Sequence, residues 1–198
     1  MKPIKNLSSL ILLSGYLLLI VSTGCKKDTP TNPTDTDTPG NYYIKFKAGG
    51  VQKSYENDAV SLFNASSSDT LFSTIMGGGL TANTNTKDYF AILLGTRDPA
   101  VAGGRYVDFS PAPAGYTEAE AMVLTYVDAN GKQFGEIGDA ITYLLYEVHS
   151  ESRVEITELT TDYAKGTFSG LLFDPNTSGT SAARINVTEG KFYLKRAQ

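Results

Sequence analysis

The chain has 198 residues, a formal charge of −4 and an apolar fraction of 41%, which suits one domain with a sizeable core. An acidic balance argues against a nucleic-acid binder, which needs a basic stripe facing phosphates. A single cysteine and a single histidine exclude an internal disulfide and leave little for a zinc site, so no cofactor is expected.

The first element is an export signal. Lys2 and Lys5 precede the apolar run "LILLSGYLLLIV", Leu10 to Val21, and the small residues Ser22, Thr23 and Gly24 lead to Cys25. The apolar run is shorter than the roughly 20 residues that a membrane-spanning helix needs. Residues 1–24 are therefore expected to be a signal peptide. "VSTGC" resembles a bacterial lipobox, with Ser22 where most lipoproteins carry an aliphatic residue. The "CKKD" that follows resembles the start of mature Bacteroidetes-type lipoproteins. The resemblance implies a diacylglycerol on Cys25, anchorage in the outer membrane of a bacterial envelope, and exposure at the cell surface. Several acyl chains make a durable anchor, because each buried methylene contributes about 0.8 kcal/mol.

From Lys26 to Gly40 the sequence "KKDTPTNPTDTDTPG" has no large apolar residue and cannot bury a core. Residues 25–40 read as a solvated tether that carries the lipid, and 41–198 as one folded domain. In that domain short runs rich in Tyr, Phe, Val, Ile and Thr alternate with Gly, Asn, Asp and Ser, the pattern of strands and turns. "YYIKFKAGGVQKSYE" reads as a hairpin around Gly49 and Gly50. "AVSLFNA", "TLFSTIM" and "DYFAILLG" follow as strands. "TEAEAMVL" has the Thr117 and Glu120 spacing of a capping box before its strand. Asn130-Gly131 marks a second hairpin, and "ITYLLYEV", "RVEITEL", "GTFSGLLF" and "RINVTEGKFYLK" complete the series. In "RVEITEL", Val154 and Ile156 share one face and Glu155 takes the other. About nine or ten strands at this spacing curl or split into two layers, so the expected fold is an all-β antiparallel sandwich, with a small barrel as the alternative.

"YAKGTFSGLL", Tyr163 to Leu172, "INVTEGKFYL", Ile185 to Leu194, and the opening "IKFKAGG", Ile44 to Gly50, are similar to the ends of a family of small Bacteroidetes-type lipoproteins. That resemblance implies a β-sandwich on a lipid anchor and brings no catalytic residue.

Catalytic sets are incomplete. His149 has no Gly-x-Ser-x-Gly nucleophile elbow to serve. Gly77 to Gly79 lack the Lys-Ser or Lys-Thr of a phosphate loop, and "DANGK", Asp128 to Lys132, lacks the closing glutamate of a calcium loop. The acidic pairs Glu118 with Glu120 and Glu136 with Asp139 keep a glycan-acting hydrolase open as an alternative. Twelve tyrosines without a tryptophan point to contact surfaces made of tyrosine. Tyr42, Tyr43 and Tyr55 lie near the tether. Tyr106 and Tyr116, with Arg105, lie in "AGGRYVDFSPAPAGY", and the long loop "RDPAVAGGRYVDFSPAPAG" that leads to Tyr116 is where binding residues on a rigid scaffold are expected. The functional expectation is a non-catalytic module that binds a glycan, a peptide or an envelope protein; a structural envelope subunit is the further alternative.

Overall fold

A computed structural model describes residues 40–56, 59–65, 72–79, 87–97 and 100–197. The expected signal peptide, Cys25 and the expected tether up to residue 39 lie outside the described residues.

The described residues form an all-β domain with one short helix. The strands are β1 (Tyr43–Ala48), β2 (Val51–Glu56), β3 (Val60–Ala65), β4 (Phe72–Gly78), β5 (Tyr89–Thr96), β6 (Gly104–Val107), β7 (Thr117–Glu118), β8 (Ala121–Val127), β9 (Gln133–Ile137), β10 (Arg153–Leu159), β11 (Tyr163–Phe173) and β12 (Arg184–Ala197). The helix α1 spans Asp139–Tyr146. The two strands beyond the expected nine or ten are β6, inside the stretch read as a long loop, and β7, just after it. Thr117 and Glu118 pair in parallel with Tyr106 and Val107, so this segment is strand and not the helical turn that its capping-box spacing allowed.

The sheet runs β2-β1-β12-β3-β4-β5-β8-β9-β11-β10-β6-β7, and an additional β12–β11 pairing bends it into a nearly closed, barrel-like form. The sheet is antiparallel apart from β12–β3 and β6–β7. The long strand β12 makes the closure possible. One of its edges takes β1 and then, past Tyr193, β3, while the other takes β11 along most of its length.

Local chemistry sets the turns. Ala48 pairs with Val51, so Gly49 and Gly50 form a two-residue loop, and both have positive φ, 56° and 84°, as a type I′ turn requires. In the β8–β9 loop Asp128 Oδ1 accepts the N–H groups of Asn130 and Lys132, each at 2.8 Å. That oxygen holds the turn.

The core is built by alternation. Ile44 and Phe46 of β1, Phe90, Ile92 and Leu94 of β5, and Met122, Leu124 and Tyr126 of β8 are all buried. Phe46 and Phe90 lie 4.5 Å apart between ring centroids, and Phe90 stacks on Phe168 at 4.8 Å. The two Gly-x-Phe segments of β11 and β12 turn out to be reciprocal. Gly166 pairs with Phe192 and Phe168 pairs with Gly190, and each aromatic ring occupies the space that a Cβ on the opposite glycine would need. The motif is a packing device in which a missing side chain on one strand seats a ring from the next.

"ITYLLYEV" is helical and not the expected strand. Gly138, with φ 66°, ends β9, and Asp139 stands in the first turn of α1, where a negative charge suits the helix dipole. Burial is inverted relative to composition. Asp139, Thr142 and Tyr146 face inward at helical spacing, and Tyr146 stacks on Phe173 at 4.5 Å, whereas Ile141, Leu144 and Leu145 face solvent. The β-prone residues of this segment misdirect a propensity reading because tertiary burial chose its polar face.

Candidate functional site

Of the arginine and tyrosine residues singled out in the long stretch, Arg105 and Tyr106 fall on β6 and Tyr116 on the segment between β6 and β7. β6 lies against β10, with Arg105 opposite Glu155 and Val107 opposite Arg153. Successive side chains of a strand point to opposite faces, so Arg105 and Tyr106 cannot both be exposed. Arg105 is outside, and Tyr106 is in the core at 3% exposure. Tyr106 is therefore corrected from a contact residue to a core residue. Tyr43 and Tyr55 near the start of the domain are also buried, Tyr55 with its hydroxyl donated to Asp88 Oδ1 at 3.1 Å. Burial and the nearby Asp88 carboxylate push the Tyr55 phenol upward.

Tyr116 is half-buried and lies next to Arg105, with the guanidinium 5.8 Å from its ring centroid. The Tyr116 N–H donates to Pro113 O at 2.9 Å, and the Ala119 N–H donates to Val107 O at 2.8 Å, which folds this segment back over β10. The fold-back brings in a residue that sequence reasoning missed. Arg153 lies 5.5 Å from the Phe109 ring centroid and 5.9 Å from that of Tyr116, within the range of cation–π attraction. Tyr116 thus stands near two guanidinium groups.

The two arginines differ in what their N–H groups do. Arg105 Nε donates to Glu155 Oε1 at 3.0 Å. Arg153 is half-buried and has aromatic contacts but no hydrogen-bond or ion-pair partner among the described residues. Its side chain borders a cavity of about 110 Å3 whose polar lining comes from Tyr116, Glu155, Thr167 and Ser169. Thr167 and Ser169 belong to β11, directly across from Glu155 and Arg153. A signal for Arg153 was present, since it has the same strand parity as the outward Glu155. Its approach to Phe109 depends on a loop path that the sequence does not specify.

A second polar cluster lies beneath the start of α1. His149 Nδ1–H donates to Asp139 Oδ2 at 2.7 Å, and the Ser150 N–H donates to Asp139 Oδ1 at 2.9 Å. The Ser150 hydroxyl donates to Asp108 Oδ2. Asp108 in turn lies against Glu136, which is 1% exposed and has no fixed donor for either carboxylate oxygen. Burial, followed by the neighbouring Asp108 charge, pushes Glu136 up to about 9; burial also raises Asp108. A proton held on one carboxyl and shared with the other supplies the missing donor, because two buried carboxylates in contact do not both ionise.

The expected acidic pairs therefore separate by chemistry. Glu136 and Asp139 are buried, Glu118 is exposed, and Glu120 is bound to Arg97 at 2.7 Å. Glu136 faces the Asp108 charge and, at 1% exposure, is sealed from substrate, whereas a glycosidase presents both of its carboxyls to the sugar. Ser150 directs its hydroxyl to carboxylates, so His149, half-exposed and stacked on Tyr143 at 4.5 Å, has no serine nucleophile to activate there. No group of three His, Cys, Asp or Glu side chains among the described residues is arranged to hold a metal ion.

No family model matches the chain, and no curated protein or solved structure matches it either.

Proposed function

We propose that this chain is a lipid-anchored protein of the bacterial outer membrane whose β-domain binds a glycan without turning it over, the lipid being carried by Cys25. The anchor rests on the order of basic, apolar and small residues before Cys25 and on the lipobox resemblance of "VSTGC". The observation that carries the binding reading is the polar cavity beside Tyr116, which Arg153, Glu155, Thr167 and Ser169 line together with that tyrosine. A tyrosine face with hydroxyl and charged groups around it matches sugar hydroxyls and C–H surfaces together. A peptide adding itself as a strand is less well served, because the terminal strand of the sheet on this side, β7, offers only two residues.

The scaffold under the site we read as a sandwich, not an evenly closed barrel. One layer is β2-β1-β12-β11-β10-β6-β7 and the other β3-β4-β5-β8-β9. The links between them are slight, residues 195–197 of β12 with β3 and the single pair Phe173 with Gly135. Sparse pairing at two corners is how packed sheets exchange strands.

The test is a thermal-shift screen of the purified protein against neutral and acidic oligosaccharides. A ligand at about one hundred times its Kd adds roughly 2.7 kcal/mol, which moves the midpoint by several degrees. The expected result is a shift that Tyr116→Ala abolishes. A shift that survives Tyr116→Ala, or turnover of the saccharide, contradicts the proposal.

A further inference from the structure

Resting on that reading, we infer that the pocket recognises a carboxylate, and that the ligand is an acidic saccharide whose carboxylate docks on the Arg153 guanidinium. Arg153 is the one member of the pocket whose charge is unanswered. Lys132 and Arg97 have carboxylate partners, and Arg105 is held by Glu155. Arg153 instead has two aromatic rings near it, Phe109 and Tyr116. Aromatic contact restrains a guanidinium without consuming its N–H donors, and a restrained fork with unused donors is suited to a planar, two-oxygen acceptor.

The surroundings set the rest of the ligand. Glu155, the one carboxylate among the lining residues, is answered by Arg105, which leaves the Arg153 charge without a carboxylate within the lining. Thr167 and Ser169 provide hydroxyl groups that both donate and accept, as a polyol requires. At about 110 Å3 the cavity is well below the roughly 300 Å3 at which whole-ligand pockets begin, so it takes the acidic end of one residue while the remainder lies across Tyr116.

The experiment is a calorimetric titration of the purified protein with oligogalacturonate, oligoguluronate and oligoglucuronate, each compared with its carboxyl-reduced, neutral counterpart. At least one acidic form is expected to bind tenfold or more tightly than its reduced form, and Arg153→Gln to erase that difference with the melting temperature kept within a few degrees. Arg153→Lys should restore only part of it, because a lysine keeps the charge and loses the fork. Equal binding of acidic and reduced forms overturns the carboxylate inference and leaves the glycan reading standing. Binding of acidic peptides in place of every saccharide overturns the choice of a sugar as the carboxylate's source. No binding of any probe overturns both the inference and the reading beneath it.

Discussion

Arg153 and Glu136 are both charged groups without a fixed partner among the described residues, and they differ in access. Arg153 is half-buried at the rim of a polar cavity, near two aromatic rings, whereas Glu136 is sealed under α1 against Asp108. An acid sealed from water solves its problem by holding a proton, so the Asp108–Glu136 pair is a matter of folding and pH. An arginine cannot do this, because its guanidinium remains protonated at any ordinary pH. An accessible arginine without a partner is therefore answered from solution, by water and ions or by a ligand. The same deficit points to structure in one place and to recognition in the other.

The largest expected effect breaks the comparison at the acid pair. Glu136 is raised in the folded state to about 9 from an ordinary value of 4.5, so the folded chain keeps a proton that the unfolded chain loses between those limits. Stability therefore falls as pH climbs through that window, by up to ~1.4 kcal/mol per pH unit where the difference in bound protons is complete. Chemical denaturation from pH 5 to pH 9 should show this slope, and Glu136→Gln, which imitates the protonated acid, should flatten it. A wild-type slope that Glu136→Gln leaves unchanged would place the titration elsewhere.

Next in size is the contrast between the two tyrosines. Tyr106→Ala removes a ring that is 3% exposed and should cost about 3–5 kcal/mol, the range of large aromatic deletions in cores. Tyr116→Ala removes a half-buried ring and two cation–π contacts, and should cost no more than ~2 kcal/mol. Comparable losses for the two would contradict the assignment of one to core and the other to surface. A smaller effect sharpens the control: Gly190→Ala crowds the Phe168 carbonyl oxygen and ring and should cost about 1–3 kcal/mol without altering the pH slope. A changed slope in that variant would show the acid pair to be coupled to the β11–β12 seam.

How much of this was legible depends on the distance over which each feature is decided. The hairpins at Gly49-Gly50 and Asn130-Gly131 are settled by a few adjacent residues, and both appear where the sequence places them. The all-β class follows from repeated short runs of strand-forming residues. "ITYLLYEV" was misread because its residues favour strands locally, while the burial of Asp139, Thr142 and Tyr146 is set by contacts with distant segments such as Phe173. Tyr106 was misjudged for a simpler reason, since its neighbour Arg105 already occupies the outward face of β6. The approach of Arg105 to Tyr116 was within reach of a local reading. The meeting of Arg153 with Phe109, and of Glu136 with Asp108, joins residues well separated along the chain and had no periodic signal.

The most direct test of the central claim follows the Arg153 side chain itself. In nitrogen-15 spectra of the arginine Nε–H groups, titration of the purified protein with an acidic oligosaccharide should move the Arg153 signal in a saturable way. The Arg97 and Arg196 signals should stay in place. Saturable binding of the acidic saccharide with an unmoved Arg153 signal would contradict the account.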